Sequence, residues 1–175
     1  MEIRATIAGD LEAILAITND EILHRVAHFG MIPVTPEQIQ QEFAAAAGTH
    51  PWFTATDGAK VLGFAKAYPW KPRGAYRWTA EIGVYVVPGQ QGKGIGRGLY
   101  AKLFPAMEAA GLRTVIAGIA LPNAASVRLH EAFGLKHTGT FTNVGYKFGA
   151  WHDVGYWTAS LGDPAPAPDL SLAWR

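Results

Sequence analysis

The chain has 175 residues, 49% of them hydrophobic and 17% charged, enough for one compact domain with its own core. Fifteen Lys and Arg against fourteen Asp and Glu leave a net charge of +1, which argues against nucleic-acid binding by bulk charge and against a polybasic membrane anchor. The absence of cysteine excludes disulfides, thiolate metal sites and a cysteine nucleophile.

The opening stretch MEIRATIAGDLEAILAI carries Glu2, Arg4, Asp10 and Glu12. It lacks the cationic start and apolar core of a signal peptide, and no run approaches the ~20 apolar residues of a membrane span. A soluble, cytoplasmic protein with neither nucleic acid nor membrane as partner is expected.

Ile3, Ala5 and Ile7 alternate with Arg4 and Thr6 and predict a short first strand. Asp10 offers an N-cap to a helix on which Leu11, Ile14, Leu15 and Ile22 recur at helical spacing. TPEQ, Thr35 to Gln38, is a capping box with proline at the first helical position, and Ile39, Phe43 and Ala47 follow on one face. Two β-rich runs around Asp57-Gly58 read as a hairpin. Pro69 to Trp78 is a proline-broken loop, and Thr79 to Val87 a strand. A helix from Gly94 to Ala110 ends at Gly111, a buried strand RTVIAGIA follows, and Asn123 caps a short helix that Gly134 terminates. The remainder up to Leu161 reads as two strands around a glycine-bearing turn.

The order β-α-α-β-β-β-α-β-α-β-β predicts an α/β chain of the α+β kind. Its mixed sheet has helices on both faces and is not doubly wound. One domain over residues 1–161 is expected, and the Pro/Ala-rich stretch 162–175 reads as a mobile tail.

In QGKGIG, Gly92, Gly94 and Gly96 lie between a strand end and a helix start. Glycines there let successive N–H groups converge on one point, which also receives the positive end of the helix dipole. An anion is the natural occupant. A P-loop is excluded because GQQGKG is two residues too short and Gly94 stands where Ser or Thr should hold magnesium. The dinucleotide fingerprint fails too, because its third glycine falls on Arg97 or Leu99. The bland alternative is a glycine turn without a ligand.

The arrangement Gln91, Gly94, Gly96 after a V-x-V-x-P strand end resembles the pyrophosphate loop of the GNAT N-acetyltransferases. NAASVRLHEAFGL resembles a second signature of that superfamily, keeping Asn123 and Gly134, with Ser126, His130, Ala132 and Leu135 replacing its Ala, Tyr, Lys and Phe. PWKPRGAYRWTAE, SVRLHEAFG and GYKFGAWHDVGYW are similar to the phosphinothricin and methionine-sulfoximine acetyltransferase branch, from about Trp52 to Trp157.

The resemblance implies the GNAT fold and acetyl transfer from acetyl-CoA, without a metal, to the α-amine of a small amino-acid-like substrate. It also implies a homodimer with sites near the subunit interface. On the cofactor side it implies a loop of Gln91, Gly92, Lys93, Gly94, Ile95, Gly96 and Arg97. Val84, Tyr85 and Val86 follow the pantetheine, and Asn123 and Ser126 stand on the facing element. It also implies Glu81 as catalytic base. The chemistry agrees, because an α-ammonium must lose a proton before it attacks, and a carboxylate in an apolar strand gains basicity by desolvation. A backbone N–H beside Val84 or Tyr85 is expected to stabilise the carbonyl oxygen.

His130, in the superfamily's tyrosine position, is a candidate donor to the leaving thiolate or else a packed helix histidine. Tyr100 is a weaker alternative donor. For the acceptor, the matched loop implies Lys71, Arg73 and Tyr76, and a matched aromatic implies Phe29.

Two departures stand out. Gly83 occupies a position where the family carries Ser or Thr, and Gly30 one where it carries a polar residue. Both weaken the case for phosphinothricin itself. His152 and Asp153 are adjacent on a strand and face opposite ways, so they read as structural. Other amine acceptors, such as a protein N-terminus or a polyamine, and a non-catalytic acyl-CoA-binding module remain as alternatives.

Overall fold

The computed structural model describes residues 1–162. Apart from Gly162, the stretch read as a mobile tail lies outside the described residues. Eleven main elements follow in the expected order: β1 (Glu2–Ala5), α1 (Leu11–His24), α2 (Pro36–Ala46), β2 (Trp52–Asp57), β3 (Lys60–Pro69), β4 (Thr79–Val86), α3 (Ile95–Ala109), β5 (Thr114–Leu121), α4 (Ala124–Ala132), β6 (Lys136–Lys147) and β7 (Ala150–Ser160).

Local chemistry sets most of the boundaries. Thr35 accepts from the Gln38 N–H and Gln38 accepts from the Thr35 N–H at 2.8 Å, which starts α2. The Asn123 side chain accepts from the Ser126 N–H at 3.1 Å and starts α4. Gly111 and Gly134 end α3 and α4 with φ of +83°, a conformation that strains any residue with a Cβ. Asp10 departs from expectation. Its carboxylate accepts from the Ile7 N–H and from Arg4 instead of capping α1, because a 3-10 turn precedes that helix.

The seven strands form one sheet in the order β1-β2-β3-β4-β5-β7-β6. Every pairing is antiparallel except β4 with β5. That parallel pairing covers only Thr79–Thr114, Ala80–Val115 and Glu81–Ile116. Beyond it β4 continues to Val86 against β3 alone, and β5 continues to Leu121 against β7 alone. The sheet therefore forks at Glu81.

Alternation along the strands divides the core. Ala80 and Ile82 of β4 and Val115, Ala117 and Ile119 of β5 pack with Leu99, Leu103 and Met107 of α3. The opposite face carries Phe64 and Tyr85 against Ile14, Ile17 and Ile39 of α1 and α2. Glu81 shares the strand parity of Tyr85 and so faces α1 and α2.

At Gly63 the two strands that support the fork meet with no room to spare. A Cβ there would stand 2.6 Å from the Tyr85 carbonyl oxygen and 3.1 Å from Val86 Cα, both main-chain atoms. Gly63→Ala is therefore expected to destabilise the fold by about 1–3 kcal/mol, as overpacking does. An unchanged urea midpoint would refute that reading of the contact.

Candidate active site

The fork opens into a cavity of about 750 Å³. One end of it begins at the glycine loop. Gly92 and Gly94 have φ of +77° and +79°, and a Cβ at either would meet nothing within 4 Å. Glycine is required there by backbone conformation, not by crowding. Gln91 braces the turn, accepting from the Gly89 N–H at 2.8 Å and donating to the Val86 carbonyl at 3.3 Å. The open N-terminus of α3 and the Arg97 and Arg128 side chains line the same end, which gives it the donors and charge that a diphosphate needs.

Backbone direction is fixed by alternation. The Val87 N–H bonds Leu62 of β3, whereas the Trp78 carbonyl accepts from Arg113 and Thr114 on the β5 side. Counting from these, Ile82, Val84 and Val86 turn their amides toward the fork, where β5 no longer pairs with them. The Val84 amide thus faces the opening. That of Tyr85 faces β3, which removes Tyr85 as the alternative backbone donor. Tyr85 lines the cavity through its ring, packed on Phe64 with centroids 5.4 Å apart.

Glu81 is the last β4 residue paired to β5. Gly118 and Tyr156 face one another across β5 and β7, and a Cβ on Gly118 would lie 3.2 Å from Glu81 Oε1 and 3.3 Å from the Tyr156 ring. Tyr68 stands opposite Glu81 in the β3–β4 ladder. Burial raises the Glu81 pKa, while the Tyr68 hydroxyl, as hydrogen-bond donor to the carboxylate, and the Lys71 charge oppose that rise. Burial and the Glu81 charge push Tyr68 far above the usual phenol range, so it remains a donor. The result is a carboxylate of increased basicity held in a frame of tyrosines.

His130 is buried, and both of its ring nitrogens are engaged. Its Nδ1 donates to the Ser126 carbonyl at 2.8 Å, because a carbonyl can only accept. Its Nε2, 2.8 Å from the Tyr100 hydroxyl, is therefore the acceptor in a neutral ring. Burial lowers the His130 pKa and favours that neutral form.

Most of the residues expected from the sequence converge on this cavity. Glu81, Gly83, Val84, Tyr85 and Val86 line it from β4, and Gln91, Gly92, Gly94, Ile95, Gly96 and Arg97 from the loop and α3. Asn123, Ser126 and His130 line it from the α4 side, and Phe29 from the loop after α1. Lys93 does not line it and donates instead to Gln90 at 2.9 Å. Lys71, Arg73 and Tyr76 do not line it either. They sit on an exposed loop where Tyr76 meets Trp70 edge-on, with centroids 5.0 Å apart. His152 and Asp153 fall outside the cavity, His152 on the Lys147 carbonyl and Asp153 on the Asn143 N–H. The sequence reading missed His28, Tyr68, Gly118 and Tyr156. The convergence of Tyr68, Gly118 and Tyr156 depends on strand register, which single-strand alternation does not supply, and His28 is brought in by the loop after α1.

Residues 18–135 match the Acetyltransferase (GNAT) family. The chain belongs to that family. It is 43% identical to the phosphinothricin N-acetyltransferase of Streptomyces viridochromogenes over 95% of this chain and 91% of that one. It is 38% identical to an L-methionine sulfoximine/L-methionine sulfone acetyltransferase of Pseudomonas paraeruginosa over 95% and 98%. Its structure superposes with a TM-score of 0.91 on a GNAT superfamily phosphinothricin acetyltransferase from Sinorhizobium meliloti in complex with AcCoA, at 30% identity over 99% and 96% of the two chains. This GNAT protein is therefore an acetyl-transferring enzyme.

Removing the Tyr68 hydroxyl takes away a bond that favours the charged carboxylate, so the Glu81 pKa rises further. A carboxylate serving as a base must be deprotonated, so activity that relies on it is lost as pH falls through its pKa. Tyr68→Phe is expected to move the acid limb of the kcat/KM profile to higher pH. An unmoved limb would remove Tyr68 from the site's electrostatics.

Proposed function

We propose that this protein transfers acetyl from acetyl-CoA to the α-amine of a small amino acid or amino-acid analogue, of the phosphinothricin, methionine sulfoximine or methionine sulfone type, by direct attack. The observation that carries the proposal is the position of Glu81 at the apex of the fork, lining the same cavity as the glycine loop. Acetyl-CoA, when bound, supplies the thioester carbonyl and a thiolate leaving group.

Glu81 takes a proton from the α-ammonium and frees the nitrogen lone pair for the carbonyl carbon. The nitrogen–carbon bond forms, the carbon–sulfur bond breaks with its electron pair going to sulfur, and the second proton shed by the nitrogen neutralises the departing thiolate. The Val84 N–H donates to the carbonyl oxygen as negative charge builds there. The Val84 carbonyl and the Val86 N–H are offered to the amides of the pantetheine arm in the manner of an added strand. The glycine loop, the N-terminus of α3, Arg97 and Arg128 hold the diphosphate.

His130 we assign to bracing α3 against α4. In its neutral form it accepts the Tyr100 proton at Nε2 and has none there to give. A thiolate is a good enough leaving group to depart without a dedicated acid. Among the described residues Glu81 is the only carboxylate lining the cavity, which speaks against a polyamine acceptor. Homodimer formation is supported by the β6–β7 hairpin, where Phe141, Tyr146, Phe148 and Trp151 are exposed, a concentration of rings that marks an interaction surface.

A thiol-release assay tests the assignment of the base. Glu81→Gln is expected to lower kcat by roughly 10²-fold or more, with acetyl-CoA affinity by calorimetry unchanged within about twofold, because no proposed contact with coenzyme A uses that side chain. Full turnover in the variant would refute Glu81 as the base. Tight acetyl-CoA binding by the native protein, with no turnover on any amine, would favour a binding module instead.

A further inference from the structure

His28 has no part in acyl chemistry, yet it lines the cavity beside Phe29. Its Nδ1 accepts the Gly30 N–H at 3.0 Å, so the neutral ring carries its proton on Nε2, which bonds no group among the described residues. Protonating Nδ1 would break the Gly30 bond. Burial opposes the charged form, as do Lys66 on β3 and Lys147 on β6, while Glu42 on α2 weakly favours it. The ring therefore presents a neutral N–H donor at neutral pH.

Its surroundings offer an acceptor rings but no free cation. Phe29, Tyr68, Tyr85 and Tyr156 supply the ring surface. Phe29 is seated on β6, since a Cβ on Gly145 would stand 2.7 Å from its ring. Lys71, whose charge reaches Glu81, stands exposed outside the cavity, and the other cations near His28 are occupied. Lys66 pairs with Glu42, Lys147 donates to the Arg25 and His28 carbonyls, and Arg25 pairs with Asp20 and Glu21. Gly30 and Gly83 contribute no polar side chain. An anionic side chain entering here would lose its water and meet the Glu81 carboxylate, while the lining cations Arg97 and Arg128 stand with the glycine loop at the other end.

Resting on the acetyl-transfer reading above, we infer that His28 determines specificity. Its Nε2–H donates to an uncharged, oxygen-bearing side chain on the acceptor amino acid, such as a sulfone, and the site disfavours an anionic one such as a phosphinate.

Thiol release with methionine sulfone, methionine and phosphinothricin tests this. The native protein is expected to favour methionine sulfone over phosphinothricin by about tenfold or more in kcat/KM. His28→Phe keeps a ring without the donor. It should lower kcat/KM for the sulfone about 5- to 30-fold, chiefly through KM, in line with one lost hydrogen bond. Methionine, which lacks the oxygens, should change by no more than about twofold. His28→Asn, which restores an N–H donor, should recover part of the loss. Thermal midpoint and acetyl-CoA affinity, measured on each variant, separate this from misfolding. Equal or better turnover of phosphinothricin by the native protein would overturn the inference, as would an equal loss on sulfone and methionine in a folded His28→Phe. Thiol release from none of the three acceptors would sink the acetyl-transfer reading itself, and this inference with it.

Discussion

The structure depends on a strand pairing that stops early. β4 and β5 share three residue pairs and then part, and each keeps its outer neighbour for the rest of its length. Main-chain groups that a continuous sheet would have consumed are left open inside a folded protein. An unpaired buried amide costs free energy comparable to a lost hydrogen bond, so the fork needs a partner or water. Gln91 supplies part of that need by donating to the Val86 carbonyl. The same residue shapes the glycine loop, so the turn at one end of the cavity also tends the open strand.

Placing an acid at the last paired position gives it two environments. On one side lie packed strands whose low polarity raises its proton affinity, and on the other the cavity through which substrate arrives. Tyr68 and Tyr156 flank it from β3 and β7, and Gly118 leaves room for it on β5. Burial is the larger influence on the carboxylate, with the Tyr68 donor and the Lys71 charge as counterweights. The two together leave a carboxylate with raised proton affinity that still has groups beside it favouring its charge.

Much of this was legible in the sequence because local rules write it there. The capping box at Thr35, the Asn123 cap and the glycines that close α3 and α4 each act within a few residues, and the element order followed from them. Alternation alone placed Glu81 and Tyr85 on one face. It could not bring Tyr68 and Tyr156 to the carboxylate, since that takes the register of four strands. Lys71, Arg73 and Tyr76 were expected from resemblance and proximity in sequence, and the loop carries them to the surface, Tyr76 against Trp70. His130 shows another limit. Its identity is compatible with an acid, and only the Ser126 carbonyl on one nitrogen and the Tyr100 hydroxyl on the other reveal a neutral ring with nothing to donate at Nε2.

Lys147 holds the loop that carries His28 and Phe29 by bonding to two main-chain carbonyls, those of Arg25 and His28. Such a peg is blind to side chains. Exchanging residues along the loop leaves its attachment intact, so the wall of the acceptor chamber is free to vary while its hinge point stays put. That separation lets the face presented to the cavity change while the loop's point of attachment to β6 stays where it is.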